Sequence, residues 1–150
     1  MAQVLFYHLD NQRTEAMLPA LLEKSLARGW RVAVQTASDD RIDSLDAHLW
    51  TYRDDSFLPH GTDRDNSAAA QPVLLTSSDG NPNGADVRFL IDGVPLPEDI
   101  SGYARVVLIF DGADAEAVTG ARNHWTTAKA QGHEVTYWQP DENGRWQRKA

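Results

Sequence analysis

Short apolar runs alternate along this chain with stretches whose apolar residues recur every three or four positions, the pattern of strands interleaved with helices. Val4-Leu5-Phe6-Tyr7 reads as a first strand, and Leu18, Leu21, Leu22 and Leu26 then share one helix face. Pro19 keeps that helix from starting much before Glu15, since proline is accommodated in a first turn, and Gly29 suits its C-terminal cap. Arg31-Val32-Ala33-Val34 forms a second strand. Ser38 can then cap a helix whose first turn carries Asp39 and Asp40, complementing the positive end of its dipole, with Ile42, Leu45 and Leu49 as its inner stripe.

The middle of the chain is less regular. Residues 61–71 are polar and alanine-rich, Pro72-Val73-Leu74-Leu75-Thr76 is strand-like, residues 79–84 are a strong loop, and residues 87–91 suit another strand. Arg105-Val106-Val107-Leu108-Ile109-Phe110 is the most apolar run and fits a central strand buried on both faces. After the turn at Asp111-Gly112, Asp114 can cap a helix reaching about Gln131 and ended by Gly132. Residues 134–138 return to the sheet, and residues 140–144 turn towards a final edge strand at 145–148. The expectation is a single α/β domain over residues 1–150: three layers, with a mostly parallel sheet flanked by helices through right-handed crossovers, Rossmann-like in order.

With 150 residues, one core is the natural reading. The absence of cysteine excludes disulfides, thiolate nucleophiles and thiolate zinc sites together. The N-terminus lacks the basic and apolar regions of a signal peptide, no apolar run approaches a membrane span, and a cytoplasmic location is expected without membrane contact. Acidic side chains exceed basic ones, 22 to 14, for a formal charge of −8 that opposes a nucleic-acid backbone. Any association with DNA is therefore expected to be indirect, although a local basic patch can still hold an acidic partner over a screening length of about 8 Å.

Strand and helix order alone would admit a small nucleotide-binding α/β enzyme or sensor. The phosphate loops such a protein uses are missing: Tyr7-His8-Leu9-Asp10-Asn11 stands where a glycine-rich turn would follow the first strand, and no G-x-x-x-x-G-K-[ST] occurs. Asp54, Asp55, Ser56 and His60 include the residue types of a hydrolase triad, but the serine is on no G-x-S-x-G elbow, and turn and capping roles explain the group better. His8, His48, His60, His124 and His133 form no H-E-x-x-H motif, so neither a metal nor a cofactor is expected.

Two stretches carry more information. Arg122, Trp125 and Lys129, at i, i+3 and i+7 of the last helix, share one stripe that joins two cations to an indole. Packing of Trp125 on the sheet with solvated cations is the plainer reading; an interface is the sharper one, because Arg and Trp are enriched in binding hot spots. The run from Leu49 to Gly61 ends a helix in Trp50 and continues into a loop with Phe57, Pro59 and His60, which suits either core burial or the wall of an apolar pocket.

At these two stretches the sequence resembles the chi subunits of bacterial DNA polymerase III holoenzyme, and the likeness extends over most of the chain. Phe6-Tyr7-His8-Leu9 is similar to that family's first strand, and Arg28-Gly29-Trp30-Arg31-Val32 resembles its "(R/K)-G-x-(K/R)-V" approach to the second. Leu45-Asp46-Ala47-His48-Leu49-Trp50 followed by Ser56-Phe57-Leu58-Pro59-His60 is the most specific match. Arg122, Trp125, Lys129, Gly132 and a closing tryptophan fit as well. The resemblance implies a non-catalytic accessory subunit, monomeric when isolated, attached to the clamp-loader complex directly or through a psi subunit. It implies binding to the acidic C-terminal tail of single-stranded-DNA-binding protein, which ends in a phenylalanine carboxylate. Residues matching Trp50 and Arg122 line the tail pocket in that family, and lysines stand where this chain has Val118 and Thr126. The site expected here is thus one pocket formed by Trp50, Phe57, Pro59, His60, Arg122, Trp125 and Lys129. A generic interaction domain, unrelated to replication, would share the fold and lack only the tail specificity.

Overall fold

The structure is a computed structural model describing residues 2–10, 12–52, 58–143 and 145–150. Strands and helices alternate: β1 (Gln3–Leu9), α1 (Thr14–Ala27), β2 (Val32–Gln35), α2 (Asp39–Thr51), β3 (Gly61–Thr62), β4 (Val73–Thr76), β5 (Val87–Leu90), β6 (Arg105–Asp111), α3 (Ala115–Ala130), β7 (Glu134–Pro140) and β8 (Trp146–Arg148). The strands form one sheet in the order β3-β4-β2-β5-β6-β1-β7-β8. Every neighbouring pair is parallel except β7 and β8. The expected α/β architecture is therefore present; the short β3 and a 3-10 turn at Ala68–Ala70 add structure to the segment that looked irregular in sequence.

Alternation along the strands divides the interior between the two faces of the sheet. Leu5, Val32, Val34, Phe89 and Val107 point to one side, where they meet Leu18 and Leu22 of α1 and Ile42, Leu45 and Leu49 of α2. Val4, Phe6, Ala33, Val106 and Leu108 point to the other, where they meet Ala121 and Ala128 of α3. Chain direction explains this division. From β1 through α1 to β2 the chain moves one way along the sheet, and from β6 through α3 to β7 it moves the other way; crossovers of one hand then fall on opposite faces.

The expected caps form. Ser38 accepts from the Arg41 backbone N–H at 3.2 Å, and Asp114 accepts from those of Glu116 and Ala117. Gly29 and Gly132 follow α1 and α3 in the left-handed conformation, at φ +79° and +84°. Pro19, by contrast, lies in the second turn of α1 and has no N–H to offer the Glu15 carbonyl. His48 of α2 supplies the missing donor, its Nε2 lying 2.8 Å from that oxygen, so the break in one helix becomes a tether to the next.

A second tether joins the same helices. Arg41 pairs with Glu15 and, through Nε at 2.9 Å, with Asp92 beyond β5. Burial would raise the Glu15 carboxyl, but a bond from its own backbone N–H together with the hydrogen bond and charge of Arg41 outweigh that and hold it below the usual glutamate value. A lowered folded-state pKa contributes stability in full above the unfolded-state value and loses it as pH falls through the folded-state value. Glu15→Gln should therefore be less stable than wild type at about pH 7, with the gap closing at about pH 3. Urea midpoints at the two pH values check this, and a gap of constant size would contradict it.

Candidate functional site

The α3 stripe forms as the spacing predicts. Ala121 and Ala128 are small enough to let the helix settle against the second face of the sheet, which leaves Arg122 and Lys129 exposed and Trp125 half-buried between helix and sheet. The Trp125 ring lies 5.5 Å from Phe6 and 6.2 Å from Tyr137. Phe6 and Tyr137 are register partners on β1 and β7, so they share the face beneath the indole. The Tyr137 hydroxyl lies 2.5 Å from His8 Nδ1. Burial raises the Tyr137 phenol, the Arg122 charge pulls it back, and Asp10 adds to the rise. Among the described residues no carboxylate pairs with Arg122 or Lys129. Of the positions where the resembling family carries lysine, Val118 packs on the core and Thr126 bonds the Arg122 carbonyl at 3.1 Å.

Trp50 belongs to a different surface. At the end of α2 it is 52% exposed, and its ring stands 4.5 Å from that of His60. His60 is buried, with Nδ1 2.7 Å from the Leu58 carbonyl and Nε2 3.0 Å from Asp46 Oδ1, off the line of a hydrogen bond. Pro59 is half-buried between them in sequence, and Phe57 lies outside the described residues, as do Asp54, Asp55 and Ser56. The hollow beside Trp50, about 450 Å³, is edged by Asp43, Asp46 and Asp65, with Arg64 already bonded to Asp43.

The expectation of one pocket uniting Trp50, Pro59 and His60 with Arg122, Trp125 and Lys129 is corrected by this geometry. α2 packs on the first face against β3 and β4, whereas α3 packs on the second face against β6, β1 and β7. Four strand spacings separate β4 from β1, roughly 19 Å at about 4.8 Å each, and the sheet itself intervenes. No single short peptide end can touch Trp50 and Arg122 together. Tyr137 and His8 join the α3 group instead; their only sequence signal was alternation, which places Tyr137 on the same face as Val135 and Phe6 on the same face as Val4.

The crevice at the carboxyl ends of β5 and β6, where an open α/β sheet would take a nucleotide, is lined by Asp92, Asp111, Asp114 and Glu116, with no lysine or arginine among its described lining residues. A phosphate entering there would meet four carboxylates, which argues against the nucleotide alternative. Among the described residues no three His, Asp or Glu side chains gather as metal ligands, and no helix is long and apolar enough to cross a membrane.

The sequence model of the family described as "DNA polymerase III chi subunit, HolC" matches residues 1–136. The chain belongs to this chi family. A protein of Rickettsia prowazekii named "Probable DNA polymerase III subunit chi" is 29% identical over 117 residues, which cover 74% of this chain and 71% of the relative. The "DNA polymerase III subunit chi" of Pseudomonas aeruginosa is 24% identical over 111 residues, covering 72% and 78%. The matched region contains β1, the whole Trp50 surface and the whole of α3, so both surfaces lie within the chi-like part of the chain.

Proposed function

We propose that this chi-family chain is a non-catalytic accessory subunit of DNA polymerase III holoenzyme that binds the acidic C-terminal tail of single-stranded-DNA-binding protein and so links it to the clamp loader. The observation that carries this reading is the α3 stripe: on a chain of net charge −8, Arg122 stands exposed beside the half-buried Trp125, with no carboxylate partner among the described residues. A terminal carboxylate would take charge-assisted bonds from Arg122, and the final phenyl ring would pack on Trp125 near Tyr137, with Lys129 drawing the acidic residues upstream. The bond to the guanidinium contributes about 1.5 to 3 kcal/mol and burial of the ring a similar amount, which after association costs sets micromolar affinity, about −8 kcal/mol, as the upper expectation.

The Trp50 surface suits the tail less well, because Asp43, Asp46 and Asp65 would repel its carboxylates. An adaptor needs two separate faces. In this reading the α3 side holds the tail, and the Trp50 side, across the sheet, is turned to the clamp-loader assembly, directly or through a psi subunit.

Fluorescence anisotropy with a labelled acidic peptide ending in phenylalanine tests the assignment. Arg122→Ala is expected to weaken binding by about tenfold or more, and Trp50→Ala by less than about twofold. Equal affinities for wild type and Arg122→Ala would remove α3 from the site. A peptide lacking its last residue that bound as well as the intact one would contradict capture of a chain end.

A further inference from the structure

We propose that the groove between α1 and β8 is a docking site for a partner protein's amphipathic helix whose apolar stripe is flanked by acidic residues. The groove lies on the first face of the sheet and is separate from both surfaces described above. It encloses about 670 Å³. Leu5, Tyr7 and Val107 form its floor, one edge of α1 its near wall, and Trp138 and Trp146 its far wall.

Layer geometry indicates the shape of the occupant. On this face α1 and α2 cover the sheet towards β4, but no helix among the described residues covers β7 and β8. α1 turns Ala16, Ala20 and Lys24 towards the groove at four-residue intervals, and exposed alanines allow a second helix to approach closely along that row. The groove follows α1 from Ala16 to Arg28, about 18 Å at the helical rise. A helix laid there would complete a layer that the chain itself leaves half built.

Charge indicates the chemistry of the partner. Lys24, Arg28, Arg105 and Arg145 border the groove, and no aspartate or glutamate is among its described lining residues, although the whole chain carries −8. None of these four cations has an ion-pair partner among the described residues. Arg28 and Arg105 both stand against the Trp30 ring, at 5.0 and 5.1 Å. The Arg105 Nε is buried with no hydrogen-bond acceptor among the described residues, and burial together with the nearby Arg28 lowers the stability of its charge. Two cations crowded against one ring without a counter-charge are relieved by an incoming carboxylate.

The rings favour a peptide over a nucleic acid. Tyr7 packs against Trp146 at 4.5 Å and Trp138 at 6.3 Å, and Trp30 is taken up by guanidinium groups, so few faces remain for stacked bases. The rest of the lining is largely aliphatic, and the net charge repels an extended phosphate chain.

Selection of displayed random peptides of about 16 residues, long enough to match α1, against the full chain tests the proposal. Counter-selection uses the Lys24→Glu/Arg28→Glu double variant, whose replaced side chains are exposed in wild type. Enriched peptides should carry apolar residues at i, i+3 or i+4, and i+7 beside an excess of carboxylates. They should bind the double variant at least about tenfold more weakly, bind Arg122→Ala within about twofold of wild type, and shift the indole NMR signals of Trp30, Trp138 and Trp146. Arg145→Glu, at the opposite wall, should reproduce the loss. No enrichment, enrichment without an acidic excess, or equal affinity for the charge-reversed variants would overturn the proposal. Oligothymidine that shifts the same indoles and displaces the peptides would assign the groove to nucleic acid instead. Peptides lost on Arg122→Ala alone would belong to the tail surface, which separates failure here from failure of the functional reading.

Discussion

Arg88→Ala is expected to lower folding stability by about 3 to 5 kcal/mol and the melting temperature by about 6 to 20 °C. Arg88 lies on β5, fully buried, with no carboxylate paired to it among the described residues. All five of its N–H groups nevertheless have acceptors. Nε and Nη2 donate to Gln35 Oε1 at 3.0 and 2.8 Å, Nη1 to the Gly80 carbonyl and the Tyr103 hydroxyl, and Nη2 also to the Ser78 carbonyl. Gln35 in turn donates from Nε2 to Asp79 Oδ1 at 2.8 Å, so the counter-charge stands one amide away. The guanidinium thus pins the loop after β4 to β2 and β5. Alanine would leave two backbone carbonyls and an amide oxygen without their donor and open a cavity, and Arg88→Met should recover the packing but not the bonds. Urea denaturation measures both; a loss below about 1 kcal/mol for alanine would mean that water replaces the network.

Phe6→Ala should cost a comparable amount, about 3 to 5 kcal/mol, because the ring is wholly buried on the second face and its removal leaves a cavity. It should also reach the proposed tail surface. Phe6 supports Trp125 from below at 5.5 Å, and aromatic pairs of this kind contribute about 0.5 to 1.5 kcal/mol beyond area burial. Phe6→Leu keeps most of the volume and is expected to remain folded while loosening the indole. Near-ultraviolet circular dichroism and tail-peptide affinity should therefore both change in Phe6→Leu at a protein concentration and temperature where it is fully folded. Unchanged affinity in that variant would show that the seat of Trp125 is not part of recognition.

Much of the fold was legible from spacing. The stripes at Leu18, Leu21 and Leu22 and at Ile42, Leu45 and Leu49 became the buried sides of α1 and α2, and Ser38 and Asp114 cap the helices as their side-chain chemistry suggests. Local signals of this kind depend on neighbours within one or two turns. The two-residue β3 was not legible, since Gly61 and Thr62 have no periodicity of their own and pair only because β4 offers an edge. Pro19 was read as keeping α1 from starting much before Glu15, and the helix begins at Thr14; not legible was His48, distant in sequence, which supplies the bond that makes a proline in the second turn tolerable. The α1–β8 groove left no sequence signal: Lys24, Arg28, Arg105 and Arg145 are scattered over three separate segments.

Family membership and the order of strands and helices were determined by the residues in their linear order, because short motifs and hydrophobic periods are properties of neighbouring positions. Which candidate residues meet was decided only by the tertiary structure. Trp50 and Arg122 each stand where a local reading puts them, at the end of one helix and on the stripe of another. The chain, however, winds from β1 through β2 to β3 in one direction and from β6 to β7 in the other, and the common handedness of the crossovers sends α2 and α3 to opposite faces. That reversal turned one expected pocket into two surfaces with a sheet between them.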